Sequence, residues 1–234
     1  MTIKQIQVLA VATLLFFSSG TIAKKPDNSY SDKLSPFPLG SSILVLPINT
    51  NQLLQGMEKK DIEVEMFKQL KATGAVPKKG NITNSEDRFD YFLLTSVRAF
   101  GDPKVDLAKQ KFVSGVAGSF DLVIIPSVYE TQGFMDGEFI SFDGARIRVS
   151  SVEGRTGNWR GSQRGLSLRY EVYSNDGAWL MTLQGGIAMP RIATFATKEF
   201  NRKEYLFKKS YDRKYLAKGV KIVTKPLKKK LKFK

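Results

Sequence analysis

The 234-residue chain is 42% hydrophobic, enough for one ordinary core, so a single folded domain is expected with disorder confined to its ends. A formal net charge of +15 directs it toward anionic partners, whether nucleic acid, membrane lipid or acidic polymer. With no histidine and no cysteine, the usual neutral-pH general base, a thiolate nucleophile, most transition-metal sites and any disulfide framework are excluded.

Lys4 precedes a short apolar run, Val8 to Phe17, followed by the small residues of Ser18 to Ala23. This is the pattern of a secretory signal peptide over residues 1–23, cleaved after Ala23 or alternatively after Gly20; an uncleaved membrane anchor is the competing reading. Export makes nucleic acid a poor explanation of the basic charge. Together with the lack of cysteine, it favours an unlipidated protein of the Gram-negative periplasm. Residues 24–41, with Pro26, Pro36 and Pro38, read as an extended linker.

A single α/β (α+β) domain is expected from 42 to 218, with a mixed sheet of five to six strands, two helices packed on it and a carboxy-terminal helix. Ser42-Ile-Leu-Val-Leu-Pro-Ile48 has the composition of a buried strand, closed by an Asx turn at Asn49. Ile62, Met66, Phe67 and Leu70 recur at helical spacing between Glu58 and Thr73, and Gly74 stands at the C′ position. The segment from Pro77 to Asp87 reads as a polar loop, and Tyr91 to Val97 fits a strand or a short helix equally. Asp102-Pro103 supplies an N-cap and an N1 proline for a second helix that ends near Gly118.

Phe120 to Val149 reads as the centre of the sheet: Asp121 to Glu130 as one strand and Glu138 to Val152 as its neighbour. Gly165 to Ser174 follows as a strand with Leu166, Leu168, Tyr170 and Val172 on one face. Asn175-Asp-Gly177 is a hairpin turn leading to Trp179–Met189, where Gly185-Gly186 implies a bulge or a close backbone contact. A terminal helix is expected between Thr197 and Lys218, and residues 219–234 form a basic tail.

Three groups of residues bear on function. Asp136, Glu138 and Asp143 are the acids that a carboxylate-dependent glycan hydrolase would need, but both aspartates precede glycine, as turns require. The Gly- and Arg-rich loop from Gly154 to Gly165 offers Arg155, Trp159, Arg160 and Arg164 to an anion or a partner, its alternative being a plain hairpin loop. In the tail, Lys225, Lys228, Lys229, Lys230 and Lys232 would be attracted to lipid headgroups or acidic glycan such as peptidoglycan, unless the tail is merely solvated. No cofactor and no metal site is expected, since no loop has calcium-ligand spacing and no strand-loop-helix phosphate pattern occurs.

The motifs Ile43-Leu-Val-Leu-Pro-Ile48, Phe120-Asp-Leu-Val-Ile125 and Leu168 to Trp179 resemble the periplasmic α/β domain of the curli-secretion lipoprotein, the outer-membrane activator of penicillin-binding proteins and the amino-terminal domain of the Tol translocation protein. The resemblance spans about Ser42 to Met189 and carries no functional residues over. It implies a non-enzymatic envelope protein that docks on protein partners or on copies of itself, here without the anchoring cysteine of the lipoproteins. The primary expectation is therefore a periplasmic accessory or scaffold protein; the rivals are the hydrolase and a small-ligand carrier.

Overall fold

The computed structural model describes residues 25–32, 34–54, 57–136, 139–148, 160–188 and 213–231. Strand β1 is Ser29–Tyr30, β2 Ser42–Val45, β3 Val76–Lys79, β4 Leu122–Asp136, β5 Phe139–Phe142, β6 Ala145–Arg148, β7 Arg160–Ser174 and β8 Trp179–Ala188. Helix α1 is Met57–Lys71, α2 Ser85–Leu94, α3 Pro103–Val116 and α4 Arg213–Leu231, with a 3-10 turn at Val97–Ala99. The strands form one mixed sheet in the order β1-β8-β7-β4-β2-β3, with β5 and β6 branching from the end of β4. The pairs β2–β3 and β2–β4 are parallel and the rest antiparallel. The mixed α/β class matches the expectation, while the strand count exceeds it.

Each additional strand has a physical origin. Strand β3 takes in Pro77, Lys78 and Lys79, the start of the segment expected as a polar loop, and is held in parallel register by β2, with Ile43 opposite Pro77. A proline and two lysines are tolerated there because the strand lies at the sheet edge. Glu138 to Val152 is not one strand, because Asp143-Gly144 turns the chain and makes β5 and β6 a hairpin; the long neighbour of β4 is β7, paired from Leu122↔Ser174 to Asp136↔Arg160. Tyr91 to Leu94 belongs to α2, capped by Asn84, whose side chain accepts from the Glu86 N–H at 3.1 Å.

Helices cover both faces. Ile62, Met66 and Leu70 of α1 share a core with Leu216, Val220, Val223, Leu227 and Leu231 of α4 and with the Leu166, Leu168, Tyr170, Val172 face of β7. Tyr91 of α2 and Val113 of α3 meet Leu44, Val123, Ile125 and Tyr173 on the opposite face. The alternation of β7 decides this split, since successive side chains leave a strand on opposite sides.

Two of the expected segments contribute to the fold. Within residues 24–41, expected as an extended linker, Ser29 and Tyr30 pair with Thr182 and Met181 on the edge of β8, and Tyr30, Leu34 and Phe37 pack on the core. The tail expected at 219–234 is, through Leu231, part of α4, because Val220, Val223, Leu227 and Leu231 recur at helical spacing and are buried.

Glycine controls how closely layers approach. The Gly185-Gly186 pair does both things expected of it: the β7–β8 register shifts between Leu166 and Ser167, and α4 crosses β8 at that point. A methyl on Gly219 would lie 2.2 Å from the Gly186 carbonyl oxygen, and one on Gly185 would lie 2.6 Å from the Gly219 carbonyl oxygen. Replacing Gly219 by alanine should therefore destabilise the fold by roughly 1–3 kcal/mol through overpacking, although alanine is favoured over glycine by about 1 kcal/mol in a helix interior. Gly115 of α3 has no atom within 4 Å of an added methyl, so Gly115→Ala should instead stabilise. Urea midpoints of the two variants measure the opposite signs.

Candidate functional site

Among the described residues, α4 is the element that organises exposed charge. It holds eight basic residues and no acid, and its inward face is apolar from Leu216 to Leu231. Lys214, Lys218, Lys221, Lys225 and Lys229 recur every three or four residues, which places them along one ridge opposite the buried stripe. Lys225, Lys228 and Lys229, expected as tail residues, are thus fixed on a helix, and Lys214, Lys218 and Lys221 join them as a feature that appears only once the helix is continuous. Lys230 lies off the ridge with its ammonium 4.7 Å from the Tyr30 ring centroid. Lys232 lies outside the described residues.

The ends of α4 are tied to α1. Arg213 pairs with Asp61 at 3.3 Å, and the Lys228 ammonium donates to the Ala72 carbonyl at 3.4 Å, so the two helices run side by side in the same direction. At the other side, the Phe37 N–H donates to the Leu231 carbonyl, closing the end of the helix with the amino-terminal arm. Lys218, Lys221, Lys225 and Lys229 are exposed, and none has an ion-pair partner among the described residues. The acids of α1 are largely committed elsewhere, Glu63 to Lys79 at 2.7 Å and Glu65 to Lys68 at 3.4 Å.

The other candidates fare differently. Arg155 and Trp159 lie outside the described residues, and of Arg160 only the backbone, in β7, is described. Arg164 is exposed and paired with Glu130 of the adjacent strand at 3.0 Å. Glu138 lies outside the described residues and Asp136 ends β4. Asp143 is buried in the β5–β6 turn with φ of +40°, where its carboxylate accepts hydrogen bonds from Tyr129 Oη, at 3.1 Å, and from Ser167 Oγ. It serves the hairpin.

A second polar group, which no local pattern in the sequence signals, lies beneath α3. The ammonium of fully buried Lys109 lies 2.9 Å from Glu171 Oε2, and the Arg169 guanidinium donates to Glu171 Oε1 from Nη2 at 2.7 Å and from Nε at 3.0 Å. Both cations face the Phe100 ring. Lys109 and Glu171 are 62 residues apart, so no local pattern joins them. Lys109 also lies 3.6 Å from the Asp106 carboxylate, so the two cations meet two acids.

No family model matches the chain, and no curated protein matches it. Among solved structures, the chain is similar to a PelC dodecamer from Paraburkholderia phytofirmans at 10% identity and a TM-score of 0.35, covering 86% of this chain and 97% of that one. It is also similar to the hypothetical protein CT253 from Chlamydia trachomatis at 10% identity and a TM-score of 0.34, covering 82% and 93%. These likenesses show no family.

Truncating Glu171 to alanine should cost about 3–5 kcal/mol, because it strands Lys109 and Arg169 in the interior, whereas Lys109→Met leaves the Arg169–Glu171 pair intact and should cost less. Chemical denaturation of both variants orders the two losses. Burial raises the pKa of Tyr91, Tyr129, Tyr170 and Tyr173 above the ordinary 10.0, with Glu171 adding to the shift at Tyr91 and Tyr173 and Asp143 at Tyr129. A raised folded-state pKa gives stability that is full below the unfolded value and lost as pH climbs past it. The melting temperature should hold from about pH 6 to 9, there being no histidine, and fall steeply above about pH 10.

Proposed function

We propose that this chain is a non-catalytic accessory or scaffold protein of the periplasm that engages an anionic envelope component, or an acidic partner, through the outer ridge of α4. The observation that carries the reading is the row of exposed lysines on a helix whose apolar face is already buried, with Lys218, Lys221, Lys225 and Lys229 lacking acidic partners among the described residues. Clustered charges of one sign concentrate counter-charged ligands, and a folded helix presents them without the ordering cost that a solvated tail would carry.

Of the three acids of the hydrolase reading, Asp143 is buried and engaged by Tyr129 and Ser167, which favours a binding role over it. The amino-terminal signal pattern supports export, and export removes nucleic acid as the natural polyanion. The basic loop around Arg155, Trp159 and Arg160 stays within the proposal as an auxiliary contact, and self-association as a further mode of docking.

The test is binding of the full chain to isolated peptidoglycan sacculi and to anionic vesicles at increasing salt. Attraction of this kind weakens as the Debye length contracts to about 8 Å at 0.15 M. The variant Lys221→Glu/Lys225→Glu should lose about 2 kcal/mol of binding, roughly thirtyfold in affinity, while keeping its melting temperature. Binding unchanged by salt and by this substitution would remove α4 from the function. Sedimentation of the same samples reports whether the chain associates with itself.

A further inference from the structure

The α4 ridge has a shape as well as a charge, and the shape narrows the ligand. From Lys214 to Lys229 it extends about 22 Å, at a rise of roughly 1.5 Å per residue, with an ammonium-bearing residue at each turn. The ridge is one helix wide. On one side lies α1, whose Glu58, Asp61, Glu63 and Glu65 bring acidic groups to the same layer. On the other, Tyr215 and Ile222 pack toward the β5–β6 hairpin.

A bilayer surface would press all of these elements against its headgroups, acids included. Helices that lie on membranes also bury their apolar face in lipid, but that face of α4 is occupied by the sheet, with Leu216, Val220, Val223, Leu227 and Leu231 each at most 3% exposed. Val64 is the one large apolar side chain exposed on either helix among the described residues, too little to anchor the layer. A thread of charge lying along the helix axis meets the lysines and avoids the acids.

We infer that the ridge of α4 binds a linear polyanion, a chain with a carboxylate or phosphate at successive repeats, laid lengthwise along Lys214, Lys218, Lys221, Lys225 and Lys229. This rests on the reading of α4 as the anion-binding face and names the ligand class that face takes. The flexible lysine stems adapt to small differences in repeat length, and each ammonium offers three donors to an anionic oxygen. Recognition is therefore by charge spacing and length.

The experiment titrates the full chain with oligogalacturonates of increasing length and, separately, with vesicles of phosphatidylglycerol and phosphatidylcholine. Two variants of equal net charge are compared with the parent. Lys218→Gln/Lys221→Gln/Lys225→Gln/Lys229→Gln strips the ridge; Lys78→Gln/Arg98→Gln/Lys104→Gln/Lys111→Gln strips exposed cations elsewhere. Affinity of the parent should rise steeply with oligomer length until the ligand spans the ridge, and then flatten. The ridge variant should lose roughly a hundredfold on the longest oligomer, while the control loses little.

Equal losses in the two variants would overturn the ridge as a site, leaving only net charge. Vesicles bound in preference to oligomers, or affinity on the parent that does not depend on length, would overturn the linear ligand while leaving anion binding by α4 in place. Absence of binding to either probe would overturn both readings. The length series needs no substitution, so it stands whatever the variants do to folding.

Discussion

The contact on which the rest of this molecule depends is the crossing of α4 over β8, where Gly219 meets Gly185 and Gly186 backbone to backbone. Three glycines let the helix settle onto the strand closely enough for Leu216, Val220, Val223, Leu227 and Leu231 to reach the interior. Once that face is committed, the rotation of the helix is fixed, and Lys214, Lys218, Lys221, Lys225 and Lys229 fall along a single outward ridge. The amino-terminal arm closes over the same region, with β1 covering part of the β8 edge and Lys230 resting on Tyr30. An edge strand that would otherwise offer unpaired backbone groups is thereby partly covered by the chain's own beginning.

The two faces of the sheet treat charge in opposite ways. Beneath α3, buried Lys109 and part-buried Arg169 are balanced by Glu171 and Asp106, with Tyr173 and the Phe100 ring completing their surroundings. Such a group is engaged internally, since the Glu171 carboxylate accepts from both cations. On α4 the charges are of one sign and solvated. Each contributes little to stability, but together they maintain a field that an external partner can answer. The proposed binding face is therefore the α4 side, and the network on the α3 side lies within the fold beneath it.

Much of the sheet was legible from the sequence because its strands obey simple rules. The two-residue alternation of Leu166, Leu168, Tyr170 and Val172, the Asn175-Asp-Gly177 turn and the Asp102-Pro103 helix start all appear where local chemistry places them. Val76–Lys79 was not legible, since nothing in Val-Pro-Lys-Lys favours a strand and only the neighbouring β2 makes it one. The nature of Lys225, Lys228 and Lys229 was also missed in part. A run of lysines looks like a tail until the apolar residues between them find a surface to cover.

By itself, the sequence determined the class of the fold, the strongly basic character, the lack of thiol and imidazole chemistry and the positions of most turns, because these follow from composition and from contacts a few residues long. Tertiary structure alone decided that residues 213–231 form one docked helix, that its lysines align into a ridge, that Asp143 is spent inside a hairpin and that Lys109 meets Glu171. Those outcomes depend on burial and on partners brought from distant parts of the chain. Helical periodicity marks which residues share a face, but only a surface made elsewhere, here the glycine-lined back of β8, decides which face is hidden and which is offered to a ligand.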